Sequence, residues 1–300
     1  MRFSLATLFS LAAATAVDKR QSAINDGVVL NYALTLEHLE NAFYRGGLAK
    51  FTQADFLAAG FSLNFYDNLK KIASDEATHV NFLTAALKSA GIAATGECMY
   101  NFGYKSVKDF VSLASVLEGV GVSAYIGAAS FIDNSAYLTA AAAIVTVEAR
   151  HSSFIRSNLG LRPFATPFDT PLDFNEVYSL ASAFITSCPA TNPALPVKAF
   201  PTLMVTAGVP ASGLDVTNDY ITFKANITLQ PNTAYYLHFI NGLTVTPVKA
   251  FVGANGILSA NIPANVFGQV YVVATASTDV PNDSNILAGP AILEVLDCKC

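Results

Sequence analysis

Two stretches of the chain, Asp75-Glu76-Ala77-Thr78-His79 and Val147-Glu148-Ala149-Arg150-His151, each place a glutamate three residues before a histidine. Residues at positions i and i+3 share one face of an α-helix, so each stretch can present a carboxylate and an imidazole to the same point. A single pair of this kind is common on solvated helix faces. Two such pairs in one chain predict that two helices contribute ligands to one metal site.

Two further glutamates complete the pattern. Glu37 and Glu118 each lie in an otherwise apolar helical stretch, and a carboxylate in such surroundings needs a buried partner. Two helices that each give a Glu and two that each give a Glu-x-x-His are typical of dinuclear carboxylate sites in four-helix bundles. The predicted ligands are Glu37, Glu76, His79, Glu118, Glu148 and His151. Glu40, one turn after Glu37, ranks below them as a substitute ligand, a proton relay or a solvated residue.

The charges of these groups indicate which ions would bind. Four carboxylates and two neutral imidazoles match two divalent cations, whereas a bare cluster would repel itself or take up protons. Oxygen and imidazole ligands suit iron or manganese better than copper or zinc, and they leave coordination positions open for oxygen or peroxide. We therefore expect two iron or manganese ions as cofactors.

Tyrosines repeat in register with the glutamates. Tyr44 follows Glu37 by seven residues and Tyr125 follows Glu118 by seven, so the bundle is predicted to contain two copies of one helix pair. Seven residues are close to two helical turns, which places each tyrosine on the face of its own glutamate. Each is expected to donate a hydrogen bond beside a ligand or to take part in electron transfer as a catalytic residue.

Other residues near these motifs receive structural interpretations. His38 is expected to point away from the cluster as a surface histidine. The third predicted helix has three residues without side chains near its ligand: Gly119, Gly121 and Gly127. We interpret them as allowing close helix packing, in preference to a passage for oxygen.

Helical periodicity and Gly or Pro breaks divide residues 24–185 into segments. The predicted helices are Ile24–Arg45, which ends at Gly46-Gly47, then Ser62–Ala90, Ser106–Phe131, Ser135–Asn158 and the shorter Phe174–Ile185. The longest connection, Gly91–Lys105, lies between the second and third helices. One long crossover in the middle of four helices is the connectivity of the ferritin-like bundle.

The composition changes after Cys188. Four prolines form a linker, and short β-branched and aromatic runs follow, which predict a small antiparallel β-sandwich. The predicted strands are Tyr220–Phe223, Tyr235–Phe239, Leu243–Val248, Gly256–Ala260, Val270–Thr275 and Ile292–Val295. The expected fold is α+β and multidomain, with a leader at 1–20, a helical bundle at 21–188, a linker at 189–201 and a β-sandwich-like domain at 202–300.

The first residues have the order of a secretory signal peptide: Arg2, an apolar run, then small residues. Lys19-Arg20 follows and is either a dibasic processing site or an ordinary solvated pair. No later apolar run is interpreted as a transmembrane segment, and the sequons at Asn226 and Asn282 predict N-glycosylation. We expect an extracellular or cell-wall location.

Four cysteines in such a context favour disulfides over metal ligation. Cys98 with Cys188 is the favoured pair, and a bridge between Cys298 and Cys300 would be strained across one residue. The 300 residues are 52% hydrophobic and 13% charged, with a net charge of −5. This balance excludes a disordered chain and a nucleic-acid binder.

The stretches Leu36–Tyr44, Asp75–Val80 and Glu148–His151 resemble a family of secreted fungal ferritin-like proteins related to stress-response and sexual-development proteins. Plant desiccation-related proteins are distant relatives. The resemblance covers residues 25–187 and implies a ferritin-like fold with a dinuclear metal site at the six predicted ligands. It implies little about the reaction, and the β-rich part lies outside it.

Three functions follow as hypotheses. The first is a metal-dependent redox protein that oxidises ferrous iron or consumes peroxide in a stress response. The second is a non-enzymatic secreted or cell-surface protein, whose bundle sequesters metal or gains stability from it and whose β domain contacts a wall polymer or a protein. The third, an iron-storage cage, is disfavoured because a glycosylated β domain would hinder a closed shell. Fold alone cannot choose between the first two.

Overall fold

The computed structural model describes residues 24–207, 214–215 and 220–296. The expected leader, the dibasic pair at 19–20, Cys298 and Cys300 lie outside the described residues. The chain is helical up to residue 182 and rich in strands after residue 203, as the sequence predicts.

The helices of the described part begin at capping residues. They are α1 Asp26–Lys50, α2 Gln53–Ala58, α3 Leu63–Ser89, α4 Val107–Ala128, α5 Ser135–Asn158 and α6 Phe174–Ser182. Each is preceded by an Asn, Asp, Ser or Thr whose side chain accepts a hydrogen bond from a backbone N–H of the first turn. These caps satisfy donors that a helix start leaves free and so fix where each helix begins.

The first helix is longer than predicted. It continues through Gly46-Gly47 to Lys50, because these glycines allow close packing and do not break the helix. A Cβ at Gly47 would lie 2.1 Å from Cε2 of Phe110 on α4. The short helix α2 was not predicted; it is a single capped segment with a Thr52–Asp55 capping box.

The four long helices pack as two pairs, α1 with α3 and α4 with α5. The crossover 91–105 joins the pairs and carries strand β1, Met99–Tyr100, which pairs with β2, Ile185–Ser187, after α6. The disulfide Cys98–Cys188 lies beside this ribbon and confirms the favoured pairing. The crossover is thus covalently fixed to the end of the helical part.

The strands of the C-terminal part form two sheets. They are β3 Leu203–Ala207, β4 Leu214–Asp215, β5 Tyr220–Ala225, β6 Tyr236–Asn241, β7 Thr244–Lys249, β8 Phe251–Val252, β9 Ile257–Asn261, β10 Gly268–Thr275 and β11 Ala288–Leu296. One sheet has the order β4-β11-β10-β6-β7 and the other β3-β5-β9-β8. All pairs are antiparallel except β11 with β4, and residues from both sheets share one apolar core.

The helical and β parts also share a core. Tyr271 and Val273 of β10 lie in the same buried cluster as α1 and α4. The hydroxyl of Tyr271 donates to the carbonyl of Gly119 at 3.0 Å and lies 2.9 Å from Oγ of Ser123. The predicted linker packs against this cluster through Leu195, Val197 and Phe200. The sheet therefore supports the helix that carries Glu118.

One described helical stretch, Val107–Phe131, is long and apolar enough to cross a membrane by length and composition. The sequence interpretation did not single it out. Of its most apolar window, 72% is buried inside the structure, which is typical of the core helix of a bundle.

Candidate metal centre

The six predicted ligands converge in the centre of the helical bundle. Glu37 comes from α1, Glu76 and His79 from α3, Glu118 from α4, and Glu148 and His151 from α5. The four carboxylates have no exposed surface, and the two histidines are 9% and 7% exposed. Four elements thus bring six ionisable side chains into one buried cluster.

The cluster divides into two overlapping groups that could each hold a metal ion. The groups are Glu37, Glu76, His79 and Glu148, and Glu76, Glu118, Glu148 and His151. Within each group, one ligand atom per residue lies within 4.8 Å of all the others. Glu76 and Glu148 belong to both groups, so these two carboxylates would be shared if each group held an ion.

Both imidazoles turn Nδ1 toward the carboxylates. Nδ1 of His79 lies 3.0 Å from Glu148 Oε1, 3.3 Å from Glu37 Oε2 and 3.4 Å from Glu76 Oε2. Nδ1 of His151 lies 3.1 Å from Glu76 Oε1 and 3.3 Å from Glu118 Oε2. Each nitrogen therefore faces several oxygens at similar distances instead of one partner.

These buried atoms lack hydrogen bonds. Within the described residues, neither histidine Nδ1 has a hydrogen-bond partner, and six carboxylate oxygens also lack one: Glu37 Oε2, both oxygens of Glu76, Glu118 Oε2 and both oxygens of Glu148. Buried polar atoms are normally paired, and leaving this many unpaired is costly. A shared cation would satisfy all of them, so the donor set fits metal ions.

The shifted pKa values of the glutamates and histidines indicate that the cluster holds protons when metal is absent. Burial raises the pKa of Glu118 and Glu148, and it raises the pKa of Glu76 to about 7. For His79 burial lowers the pKa, but contacts with Glu148, Glu37 and Glu76 outweigh it and raise the pKa to about 12. The pKa of His151 rises to about 11 because contacts with Glu118 and Glu76 likewise outweigh burial.

Asp75 orients one of the two histidines. Its Oδ2 lies 3.4 Å from Nε2 of His151, on the side of the ring away from the cluster. A hydrogen bond there favours the tautomer with the proton on Nε2 and leaves Nδ1 free for a metal. Lys71 pairs with the other oxygen of Asp75 one turn earlier. The sequence alone assigns no role to Asp75, although its position directly before Glu76 is a signal that it lies close to the cluster.

The tyrosines bond across the bundle, not along their own helices. Tyr44 on α1 donates to Glu118 on α4, and Tyr125 on α4 donates to Oε1 of Glu37 on α1 at 2.5 Å. The predicted hydrogen bonds beside the glutamates are present, but each tyrosine bonds the glutamate of the other helix, because seven residues rise about 10 Å along a helix. The crossed bonds tie α1 to α4 at two points.

Glu40 lies beside the cluster but in neither group. It is 4% exposed, and burial together with the surrounding carboxylates, Glu148 first, raises its pKa well above the usual range. A Cβ at Gly121 would lie 2.8 Å from Glu40 Oε1 and 3.7 Å from Glu148 Oε2. Glu40 thus occupies space that is available because Gly121 has no side chain.

The remaining residues singled out in the sequence have structural roles. His38 points away from the cluster, as expected, but it is half-buried, with Nε2 3.1 Å from the carbonyl of Thr95 in the crossover. A Cβ at Gly127 would lie 1.7 Å from the carbonyl oxygen of Leu172, and one at Gly119 would lie 2.6 Å from Gln269. These two glycines allow close packing.

A helical bundle with such a buried cluster of carboxylates and histidines is typical of the ferritin-like fold. Residues 25–161 match the family model described as the ferritin-like domain. Over 174 residues the chain is 30% identical to Protein rds1 of Schizosaccharomyces pombe. The match covers 58% of this chain and 42% of that protein, so the chain spans less than half of the length of this relative. Both findings support the resemblance to a fungal ferritin-like family.

A solved structure is also similar to this chain. It is that of a conserved hypothetical protein, rv2844, from Mycobacterium tuberculosis, with a TM-score of 0.38 and 17% identity over 47% of this chain and 94% of that one.

Proposed function

We propose that this protein holds two iron or manganese ions in the bundle and uses them to react with oxygen or peroxide, either oxidising ferrous iron or consuming peroxide. The observation that carries the proposal is the set of unpaired buried atoms on six residues, arranged as two groups that share Glu76 and Glu148.

The donor set supports two divalent ions. Four carboxylates balance a charge of four, and the two imidazoles add neutral nitrogen ligands. Carboxylate and imidazole donors suit iron or manganese, while thiolate ligands, which soft metals prefer, are absent from both groups. Such ions, when bound, supply redox chemistry that the side chains alone do not have.

The protein's own residues would position and shield this centre. Asp75 would hold the ring of His151 with Nδ1 inward, and the tyrosine hydroxyls would hold one oxygen of Glu37 and one of Glu118. Burial raises the pKa of both tyrosines well above their usual value, so the hydroxyls keep their protons and donate. Apolar neighbours from four helices would exclude bulk water.

Metal content tests the proposal. We expect about two irons or manganeses per chain in the wild type and none in a Glu76→Ala, Glu148→Ala double variant. Glu97→Ala, which removes a partly exposed carboxylate that pairs with Arg45 and belongs to neither group, should leave two ions. A wild type that stays metal-free after reconstitution would contradict the proposal. Ferrous oxidation and peroxide assays on the loaded protein then distinguish turnover from binding.

We also propose that the protein is secreted and acts outside the cell under stress. The leader-like order of residues 1–20, the disulfide Cys98–Cys188 and the exposed sequon residue Asn226 support this proposal. N-terminal sequencing of protein from the culture medium tests it. A sequence that starts near Gln21 is expected, and retention of the protein in the cell would contradict it.

The second candidate function is non-enzymatic: metal sequestration, with the β part as a contact surface for a wall polymer or a protein. The observation that favours it is an exposed aromatic patch at one sheet, where Tyr220 is 45% and Phe251 66% exposed and their rings lie 5.8 Å apart. This function would be favoured over the first if the protein bound two metals without turnover and was also retained on a polysaccharide. The Phe251→Ser variant should then lose that retention.

A further inference from the structure

A cavity of about 390 Å³ lies where the helical and β parts meet. Helices α1, α4 and α6 line one side of it and strands β3 and β11 the other, with aliphatic and aromatic side chains such as Leu36, Val120, Phe184, Leu203 and Ile292. Known ligand sites have volumes of about 300–1,000 Å³ and mostly apolar walls. A dry cavity of about 150 Å³ already holds benzene. The space is therefore large enough for an organic molecule.

The inner end of the cavity reaches the candidate metal centre. Glu40 is the only charged side chain among the described residues that line it, and Gly121 lies beside Glu40 in the wall. Because Gly121 has no side chain, only a short distance separates this wall from Glu148, one of the two shared carboxylates. A molecule in the cavity would have one end beside Glu40 and Gly121.

The outer end of the cavity carries exposed residues. Met204 is 54% exposed, and Ala183, directly after α6, is exposed as well. In the described part of the chain the cavity therefore extends from the surface to the edge of the metal cluster.

The charge of the lining selects the kind of occupant. An anion would meet Glu40 and, beyond it, the carboxylates of the cluster, and an apolar wall offers no cation to balance it. A strongly polar molecule would lose its hydration without gaining partners. A neutral, mostly apolar molecule with one hydroxyl at its inner end would bury its body against the walls and place that hydroxyl within hydrogen-bonding reach of the Glu40 carboxyl group.

We infer that this cavity binds a neutral apolar organic substrate with one hydroxyl group and presents that group to the metal centre beside Gly121. The inference rests on the proposed function and names its substrate class.

The experiment uses 1-naphthol as the neutral probe and 1-naphthoate, an anion of similar size and shape, as the control. Cobalt(II) replaces the native ions as a spectroscopic reporter. We expect 1-naphthol to bind once per chain by calorimetry and to shift the visible absorption of cobalt, and 1-naphthoate to bind at least tenfold more weakly. Equal binding of the two probes would overturn the inference.

Two tryptophan variants locate the binding, since the chain has no tryptophan of its own. Ala183→Trp should fill the outer end and weaken 1-naphthol binding at least tenfold. Ala85→Trp, at an exposed alanine of α3 outside the cavity, should bind as the wild type does. Unchanged affinity in Ala183→Trp would overturn the inference.

Gly121→Ala is a second variant, directed at the inner end. Its methyl group would displace the Glu40 carboxylate, so 1-naphthol should no longer shift the cobalt spectrum. An unchanged shift would overturn the inference. If cobalt does not bind at all, the proposed function fails, but the calorimetric comparison of wild type and Ala183→Trp needs no metal and still decides whether the cavity binds the probe.

Discussion

Two hydroxyl groups hold the carboxylates that α1 and α4 contribute to the candidate metal centre. Each comes from the helix opposite the glutamate that it bonds, so Tyr44 and Tyr125 form a crossed pair. A hydrogen bond from a neutral, buried phenol fixes one oxygen of the carboxylate and leaves the other toward the cluster. The tyrosines are thus positioning residues for the ligands.

Replacing Tyr125 by Phe should weaken metal binding. The variant removes the donor to Glu37 but keeps the ring in its buried place, and loss of such a partner typically costs about 10-fold to 100-fold in metal affinity. Competition with a chelator of known affinity measures the change. Tyr137→Phe is the control, because no hydrogen bond of that hydroxyl is seen among the described residues. Equal affinities of Tyr125→Phe and wild type would contradict this role.

Asp75→Asn should also weaken metal binding by about 10-fold, at the ion position that contains His151. An amide can turn its NH₂ toward Nε2 and so no longer selects the tautomer with Nδ1 free. Stepwise titration with cobalt should then show one weakened and one unchanged site. Asp67→Asn is the control variant, because Asp67 pairs with Lys70 on the exposed side of the same helix. Two equally weakened sites would argue for a general disturbance of α3.

The sequence predicts which six side chains meet in the cluster, because the spacing of the Glu-x-x-His pairs is a property of single helices. The i, i+3 pairs and the apolar surroundings of Glu118 need no knowledge of tertiary structure. The hydrogen-bond partner of each tyrosine and the free space beside Gly121 depend on which helices face each other. The sequence alone does not give the distances between helices. Asp75 was missed for the same reason, since its histidine partner lies on another helix.

At the scale of elements, glycines decide how closely the helices approach their neighbours. Gly127 of α4 lies against the backbone of Leu172, and Gly47 of α1 against the ring of Phe110. Two adjacent glycines suggested a helix end at residue 46, but packing against α4 keeps that turn helical. The same reasoning explains why helix ends with clear capping residues, such as Ser62 and Ser106, were predicted within one residue.

Gly127→Ala should strongly destabilise the fold. Its Cβ would lie 1.7 Å from a backbone oxygen that cannot turn aside, so α4 or the segment before α6 must move. We expect a loss of about 3 kcal/mol or more in the free energy of unfolding. Gly46→Ala is the control: it lies in α1 near only the Tyr104 hydroxyl, and its helix propensity should offset the contact to within about 1 kcal/mol. Urea denaturation of both variants checks the difference.

The start of α6 should make stability depend on pH. Burial, then the charge of Asp173, raises the pKa of Glu176 to about 8; burial, with the nearby Asp283, raises the pKa of Asp173 to about 7. The folded state therefore binds protons more tightly than the unfolded state, whose carboxyl groups have pKa values near 4. Stability from these groups is present below about pH 4, is lost as the pH rises to about 8, and stays level above that.

Glu176→Gln tests this expectation. The variant cannot ionise at this position, so its free energy of unfolding should fall less than that of the wild type between pH 5 and pH 8. Denaturation in urea at several pH values gives both slopes. Glu97→Gln, at a partly exposed ion pair, should keep the slope of the wild type. A Glu176→Gln slope equal to that of the wild type would show that the helix start does not titrate in this range.

At the scale of the whole molecule, a partly buried ion pair joins the helical and the β parts of the chain, with Arg156 buried and Glu294 about one quarter exposed. Arg156 of α5 is 5% exposed and donates to both oxygens of Glu294 on β11, at 2.9 and 2.7 Å. Removing one partner of such a pair leaves a buried charge without compensation. The pair and the shared core around Tyr271 should make the two parts unfold together.

Glu294→Gln should lower the free energy of unfolding by about 2–4 kcal/mol. Glu97→Gln breaks the exposed pair with Arg45 and should cost no more than about 1 kcal/mol. Far-ultraviolet circular dichroism reports the helices and near-ultraviolet circular dichroism the tyrosines of both parts. Coincident transitions by the two signals are expected for the wild type. Separate transitions would mean that the interface does not couple the parts.

The seven-residue spacing shared by α1 and α4 places Glu37 with Glu118 and Tyr44 with Tyr125, and by the same offset Glu40 corresponds to Gly121. One copy of the repeated helix pair supplies an acid where the other supplies empty space, and the two positions touch. A bundle of two equal halves would hold two indistinguishable ions. If each group holds one ion, the two positions would differ in their surroundings, because Glu40 lies against Gly121 and not against a second acid.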